Sequence, residues 1–156
     1  MTSSDLTFVN NQPRRSSGVD VSSTDLKNSW ERFCSVNEST WMTVSLNSTV
    51  VELEGVGSSN IIEAIKTFSE EKVTFGAFKV IINNTIKFYN FFYVGNKVSA
   101  MKKGKAMMSK NVVFSIFSGC HGEVLFNNED DLGISRDYVL CQIATLTGVS
   151  VNNIKM

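Results

Sequence analysis

The chain has 156 residues, of which 42% are hydrophobic and 19% charged, and its basic and acidic side chains cancel at fifteen each. This apolar content suffices for one globular domain with its own core and excludes disorder of the main body. The zero net charge disfavours a general nucleic-acid binder, which is usually basic over its whole domain. No apolar run approaches the roughly 20 residues of a membrane-spanning helix, and the N-terminus shows no secretory signal pattern.

The cysteines and the single histidine offer little chemistry. Cys34, Cys120 and Cys141 are odd in number and irregularly spaced, which fits neither a disulfide framework nor a zinc site. We therefore expect reduced thiols, no metal and no cofactor. His121 follows Cys120 directly, and adjacent residues rarely form a catalytic dyad. Because no acid, base and nucleophile converge in the sequence, we predict that the protein is not an enzyme.

The domain boundaries follow from composition. Residues 1–18 are polar and aperiodic, so we predict a flexible N-terminal extension there. A single domain is expected over residues 19–150, and residues 151–156 are assigned to a C-terminal tail.

The first half of the domain alternates helical and strand patterns. A helix is predicted to begin with a cap within residues 22–24 and to run through Phe33, on apolar spacings of four and three. Two β-rich runs, residues 41–46 and 49–53, follow as a hairpin. A second helix is expected over residues 60–69, because isoleucines and a phenylalanine form one apolar stripe.

The second half contains the most apolar runs. Residues 73–82 and 86–94 are rich in β-branched and aromatic side chains and are predicted to be central strands buried on both faces. A long helix follows and ends near Gly119, then a short strand over residues 123–126 and a last helix capped by Ser135. This order of elements, α-β-β-α-β-β-α-β-α, predicts a mixed α+β fold with helices covering both faces of a mixed sheet.

One segment concentrates positive charge. From Lys97 to Lys110 the chain carries five of its fifteen basic residues and no acidic one, although acids outnumber bases after it. Clustered lysines attract an acidic partner surface and speed its encounter. The alternatives are a solvated face without a partner and contact with acidic phospholipid headgroups.

Helical geometry raises a question about Lys105. In one straight helix, Lys105 would share a face with Met101 and Met108, which we take to point toward the core together with Val112. Because an unpaired buried ammonium is costly, we predict that a kink or a late helix start near Gly104 turns this lysine outward.

The other face of the same helix carries an exposed methionine. Met107 lies near Lys103 and Lys110 at helical spacing. A flexible apolar side chain flanked by positive charges is typical of a protein interface.

Three blocks of sequence resemble one known family. VSSTDLKNSW (residues 21–30), KFYNFFYVG (87–95) and KVSAMKKGKAMMSKNVV (97–113) are similar to the opening helix, the central strand and the basic segment of coactosins. Coactosins are a branch of the actin-depolymerising-factor homology (ADF/cofilin) family. The resemblance covers about residues 19–148 and implies a five-stranded mixed sheet sandwiched between helices.

The resemblance also implies a function. It predicts a monomeric, non-enzymatic protein of the cytoplasm and actin cytoskeleton that binds the side of actin filaments without strong severing. Lys105 falls where coactosins carry a lysine implicated in filament binding. The residues expected to contact actin are Lys97, Lys102, Lys103, Lys105, Met107 and Lys110.

One departure from the family keeps alternatives open. The connection from Ile81 to Ile86 is shorter than in coactosins and lacks their basic cluster, and the family uses this hairpin for a second, filament-specific contact. A protein that binds monomeric actin or severs weakly is therefore an alternative. A scaffold with the same fold that binds another cytoskeletal protein is a further one.

Overall fold

The structure, a computed structural model, describes residues 19–47, 49–127 and 134–156, so the predicted extension over residues 1–18 lies outside it. The nine predicted elements are present in the predicted order. The elements are α1 (Thr24–Ser35), β1 (Trp41–Asn47), β2 (Val50–Gly57), α2 (Ile61–Ile65), β3 (Val73–Ile82), β4 (Thr85–Val94), α3 (Ala100–Phe114), β5 (Glu123–Asn127), α4 (Arg136–Thr147) and β6 (Ile154–Lys155).

Serine side chains begin the three longer helices. The hydroxyl of Ser23 accepts a hydrogen bond from the Leu26 backbone N–H at 3.3 Å, which starts α1 within the predicted range. Ser99 begins α3 in the same way, and Ser135 begins α4 as predicted. Such caps satisfy backbone donors that have no partner inside the helix.

The strands form one mixed sheet in the order β2-β1-β3-β4-β5. Neighbouring strands are antiparallel except for β4 and β5, which are parallel. The predicted five strands are therefore present, and the structure adds a sixth, β6, which pairs with the end of β3. A 3-10 turn over Val151–Asn153 leads into β6, so the segment assigned to a tail contributes to the sheet, and Ile154 is buried.

Helices cover both faces of this sheet. On one face α1 and α3 bury Leu26, Trp30 and Val113, together with Phe75 of β3. On the other face α2 and α4 bury a second cluster around Phe78, whose helical members are Ile61, Ala64, Ile65, Val139 and Ile143. The central strands are thus buried on both faces, and the predicted sandwich is confirmed.

The hairpin between the two central strands has a two-residue connection. Only Asn83 and Asn84 separate β3 from β4, and their φ angles are 51° and 66°. Asparagine tolerates this left-handed region better than most residues, and two such residues in succession are typical of a type I′ turn. The two strands are therefore joined by this turn alone, without a longer loop.

One edge of the sheet is covered by side chains. The Tyr138 hydroxyl and the Gln142 side-chain amide of α4 both donate hydrogen bonds to the backbone carbonyl of Leu125 in β5, at 3.2 and 2.8 Å. This carbonyl points away from β4, so it would otherwise face solvent at the edge of the sheet.

Several predicted boundaries differ from the structure. Helix α2 ends at Ile65 instead of residue 69, and β2 continues to Gly57 instead of residue 53. Helix α3 ends at Phe114, not near Gly119, because Ile116 and Phe117 donate backbone hydrogen bonds three residues back and tighten the chain.

The late helix start predicted near Gly104 is wrong. Helix α3 begins at Ala100 and continues without interruption to Phe114, so it neither starts late nor stops at this glycine. A β-carbon added at Gly104 would meet nothing within 4 Å, so the position is open to solvent. The glycine is an ordinary helical residue here, and its cost is entropic.

This gives a stability prediction with a matched control. Gly104→Ala should raise the free energy of unfolding by about 1 kcal/mol, since alanine is the better helix former by that amount. Gly148→Ala should lower it by about 1 kcal/mol, because Gly148 has a φ of 72° at the end of α4 and equally open surroundings. Chemical denaturation of both variants measures the two changes, and a loss of stability in Gly104→Ala would contradict an unbroken helix.

Candidate functional site

Helix α3 and the residues before it present the positive surface. Lys97, Lys102 and Lys105 are exposed, while Lys103 and Lys110 are partly buried. No acidic residue lies in the first turn of α3, so no side chain there offsets the partial positive charge of the helix N-terminus. The basic segment thus remains a positive surface in three dimensions.

Two methionines flank Lys105 on the most exposed face of the helix. Met101 is 72% exposed and Met108 is 79% exposed. They lie four residues before and three residues after Lys105, which places all three side chains on one face. The surface therefore combines a lysine with two large apolar side chains.

This is the face that we predicted to point toward the core. The structure instead buries Val113 and Phe114 against the sheet, on the side of α3 opposite Met101 and Met108. Lys105 is consequently exposed together with Met101 and Met108, and no kink is needed. Met101 and Met108 belong to the surface that sequence reasoning missed.

Met107 occupies the border between the two faces. It is 44% exposed, and Lys103 and Lys110 on either side of it along the helix are partly buried. These three side chains extend the positive and apolar surface around the helix. They lie at the margin of that surface, and Lys105 lies at its centre.

Lys110 differs from Lys105 in having an acidic partner. Its ammonium lies 2.6 Å from the carboxylate of Glu123, the first residue of β5, and its side chain is 21% exposed. The ion pair links the C-terminal half of α3 to the edge of the sheet. Because Glu123 already offsets this charge, Lys110 contributes less to the positive potential than Lys105 does.

A lysine on the same face of the sheet as α1 serves the fold instead. The Lys79 ammonium donates to the Val36 carbonyl at 3.1 Å and lies 4.5 Å from the centre of the Phe33 ring. Burial lowers the pKa of this lysine, and its electrostatic interaction with Cys34 partly opposes the change. Lys79 thus holds the end of α1 against the sheet.

The β3–β4 hairpin presents a different surface from α3. Ile81 and Ile86, at its tip, are both 39% exposed. Between them lie only Ile82, the two asparagines of the turn and Thr85, none of which is charged. The exposed Lys155 of β6 lies opposite Ile81 in the sheet and is, among the described residues, the charged residue paired with this tip.

The groups considered for catalysis are not arranged for it. Burial raises the pKa of the Cys120 thiol to about 12, and the nearby Cys34 adds to this shift. The Nδ1 atom of His121 lies 3.3 Å from the backbone N–H of Phe88 and accepts its hydrogen bond. In the part of the chain that the structure describes, no three His, Cys, Asp or Glu side chains could hold a metal ion together. Nor is any helix there long and apolar enough to cross a membrane.

A comparison with family models supplies the assignment. The model for cofilin/tropomyosin-type actin-binding proteins matches residues 18–143, which is most of the chain. The protein belongs to the cofilin family. Members of this ADF/cofilin family are actin-binding proteins without enzymatic activity. A search of curated protein sequences finds no significant match.

Solved structures of cofilin-family proteins share the fold at low sequence identity. Human coactosin-like protein superposes with a TM-score of 0.71 and 12% identity over 88% of this chain and 95% of its own. Cofilin from Streptomyces griseoflavus gives 0.67 and 13% over 79% and 97%. Mouse coactosin, described as an actin filament binding protein, gives 0.62 and 12% over 82% and 92%. The ADF-homology fold, which coactosins and cofilins share, is therefore shown.

The environment of Cys120 gives a prediction for thiol chemistry. With a pKa of about 12, only about one Cys120 side chain in 10⁴ is a thiolate near pH 8, and the thiolate is the reactive form. Alkylation of Cys120 by iodoacetamide should therefore be slow near pH 8 and rise about tenfold for each pH unit up to about pH 11. Peptide mass spectrometry measures the rate, with the exposed Cys141 as the internal control. Equal rates for the two thiols near pH 8 would contradict the buried environment.

Proposed function

We propose that this protein binds actin through the exposed face of α3 and attaches to the side of the filament without strong severing. The observation that supports this most directly is the position of Lys105, exposed between Met101 and Met108. Membership of an actin-binding family supports the partner. Similarity in fold to mouse coactosin, a filament-binding protein, supports the filament over the monomer. Such binding places the protein in the cytoplasm, on the actin cytoskeleton.

The lysines and the methionines have different roles in this proposal. Lys97, Lys102 and Lys105 attract an acidic surface and orient the encounter, and salt weakens this effect. Met101 and Met108 then supply apolar contact area, and their flexible side chains adapt to the partner surface. A lysine between two apolar groups loses its water on binding, so its pairing matters more than that of a lysine at the rim.

The remaining expected residues contribute at the border of the contact. Lys103 and Met107 extend the surface around α3. Lys110 has to share its charge between actin and Glu123, so its removal should weaken binding less than the removal of Lys105. The six expected residues are thus a graded set in this proposal, with Lys105 at its centre.

The hairpin favours a second candidate function, binding to one actin subunit at a time. Resemblance to coactosins assigns a second filament contact to this hairpin. Here the turn is only Asn83 and Asn84, and the exposed residues beside it are Ile81 and Ile86. The turn itself carries no basic side chain, and among the described residues Lys155 of β6 is the one lysine paired with this tip. The tip therefore attracts acidic actin surface more weakly than α3 does, which leaves α3 as the principal contact and fits a monomer binder as well.

A co-sedimentation assay with filamentous actin tests the leading proposal. Lys105→Ala should weaken binding by about 1–2 kcal/mol, which is roughly 5- to 30-fold in Kd, because the central cation is lost. Raising the salt from about 50 mM to about 200 mM should weaken the wild type as well and the variant less. The matched control is Lys66→Ala, since Lys66 is an exposed lysine at the end of α2 on the other face of the sheet.

The outcomes separate the candidates. Wild-type protein that stays in the supernatant at low salt contradicts filament binding, and a complex with monomeric actin in the same buffer then supports the second candidate. Equal binding by Lys105→Ala and Lys66→Ala would contradict the role of α3 in either candidate.

A further inference from the structure

The methionines of this protein differ greatly in their access to solvent. Met101 and Met108 are 72% and 79% exposed, whereas Met42 of β1 is fully buried at 0%. A thioether reacts with an oxidant in water according to its exposure. The two most accessible thioethers of the described residues therefore lie on either side of Lys105, at the centre of the proposed contact.

We propose that a peroxide oxidises Met101 and Met108 and thereby releases the protein from actin, an inference that rests on the proposed function. In this reaction the O–O bond of hydrogen peroxide breaks and one oxygen atom binds the methionine sulfur. The sulfur gives up two electrons, and the other oxygen leaves as water with both protons. The product is methionine sulfoxide, which thiol-dependent sulfoxide reductases convert back to the thioether.

Oxidation acts on the contact in two ways. A sulfoxide is polar and strongly hydrated, so burying it against a partner costs free energy that burying a thioether does not. The sulfoxide oxygen is also a good hydrogen-bond acceptor, placed four residues before or three residues after Lys105. At these helical spacings it can accept a hydrogen bond from the lysine ammonium and divert it from an acidic partner group.

The fold itself should tolerate this change. Val113 and Phe114 hold α3 against the sheet, and they lie on the opposite face from Met101 and Met108. Adding an oxygen to a side chain that is already more than 70% exposed disturbs no buried group. A loss of binding after oxidation would then report on the contact alone.

The experiment oxidises this protein alone and then measures co-sedimentation with untreated actin filaments. The protein is treated with hydrogen peroxide, freed of it by desalting, and incubated with a thiol reductant so that reversibly oxidised cysteines are restored. Peptide mass spectrometry should show sulfoxide at Met101 and Met108 and unmodified Met42. We expect the Kd for filaments to rise at least about fivefold, since polar groups replace the apolar contact area.

Two further arms identify the cause. The variant Met101→Leu with Met108→Leu keeps apolar side chains of similar size that peroxide does not oxidise. Whatever its Kd before treatment, the same treatment should leave that Kd unchanged. Methionine sulfoxide reductases should restore binding to the treated wild type.

Each outcome decides the proposal. Unchanged binding by treated wild type that carries both sulfoxides overturns it, and so does an equal loss in the treated double variant, which would point to Met107 or the cysteines. Loss of helical circular dichroism in the treated wild type also overturns it. Untreated wild type that fails to bind both filaments and monomers overturns the proposed function, which separates that failure from the failure of the switch.

Discussion

Burial of Val113, Phe114 and Phe117 against the sheet determines how α3 is rotated about its axis, and the character of its outer face follows from that rotation. Trp30 of α1 reinforces the arrangement. Its ring contacts that of Phe117 at 5.0 Å between centroids, and its indole N–H donates to the Ser118 carbonyl at 3.2 Å. These contacts fix which side of α3 faces the sheet. Lys105 is therefore exposed to solvent.

The same basic side chain has three different environments in this molecule. Lys79 lies over an aromatic ring and donates to a backbone carbonyl, and Lys110 is paired with Glu123. Lys105 is exposed between two methionines. A count of charges in the sequence treats these lysines as equal, but burial and pairing divide them into structural and surface roles. The positive segment is therefore best described by its few accessible members.

Much of the fold could be predicted from the sequence, because local signals determine it. Serine caps, the paired asparagines and the β-branched runs identify the elements and their order. The rotation of α3 could not be predicted, since the helix offers two apolar stripes: one contains Met101 and Met108, and the other contains Val113 and Phe117. Which of the two stripes is buried depends on the aromatic surface that α1 and the sheet present to the helix. Strand β6 was missed because two residues carry no periodic signal, and its pairing depends on the end of β3.

The side chains that hydrogen-bond to β5 affect whether strands from two copies of the protein can pair at this edge of the sheet. An open sheet edge can pair with a strand from a second molecule, and crowding on a shared partner would favour such pairing. Tyr138 and Gln142 already occupy the outward carbonyl of Leu125 in the middle of this edge. An incoming strand would have to displace two hydrogen bonds before it gained one there. Strand addition at this position is therefore less favourable than at an edge carbonyl that has no side-chain partner.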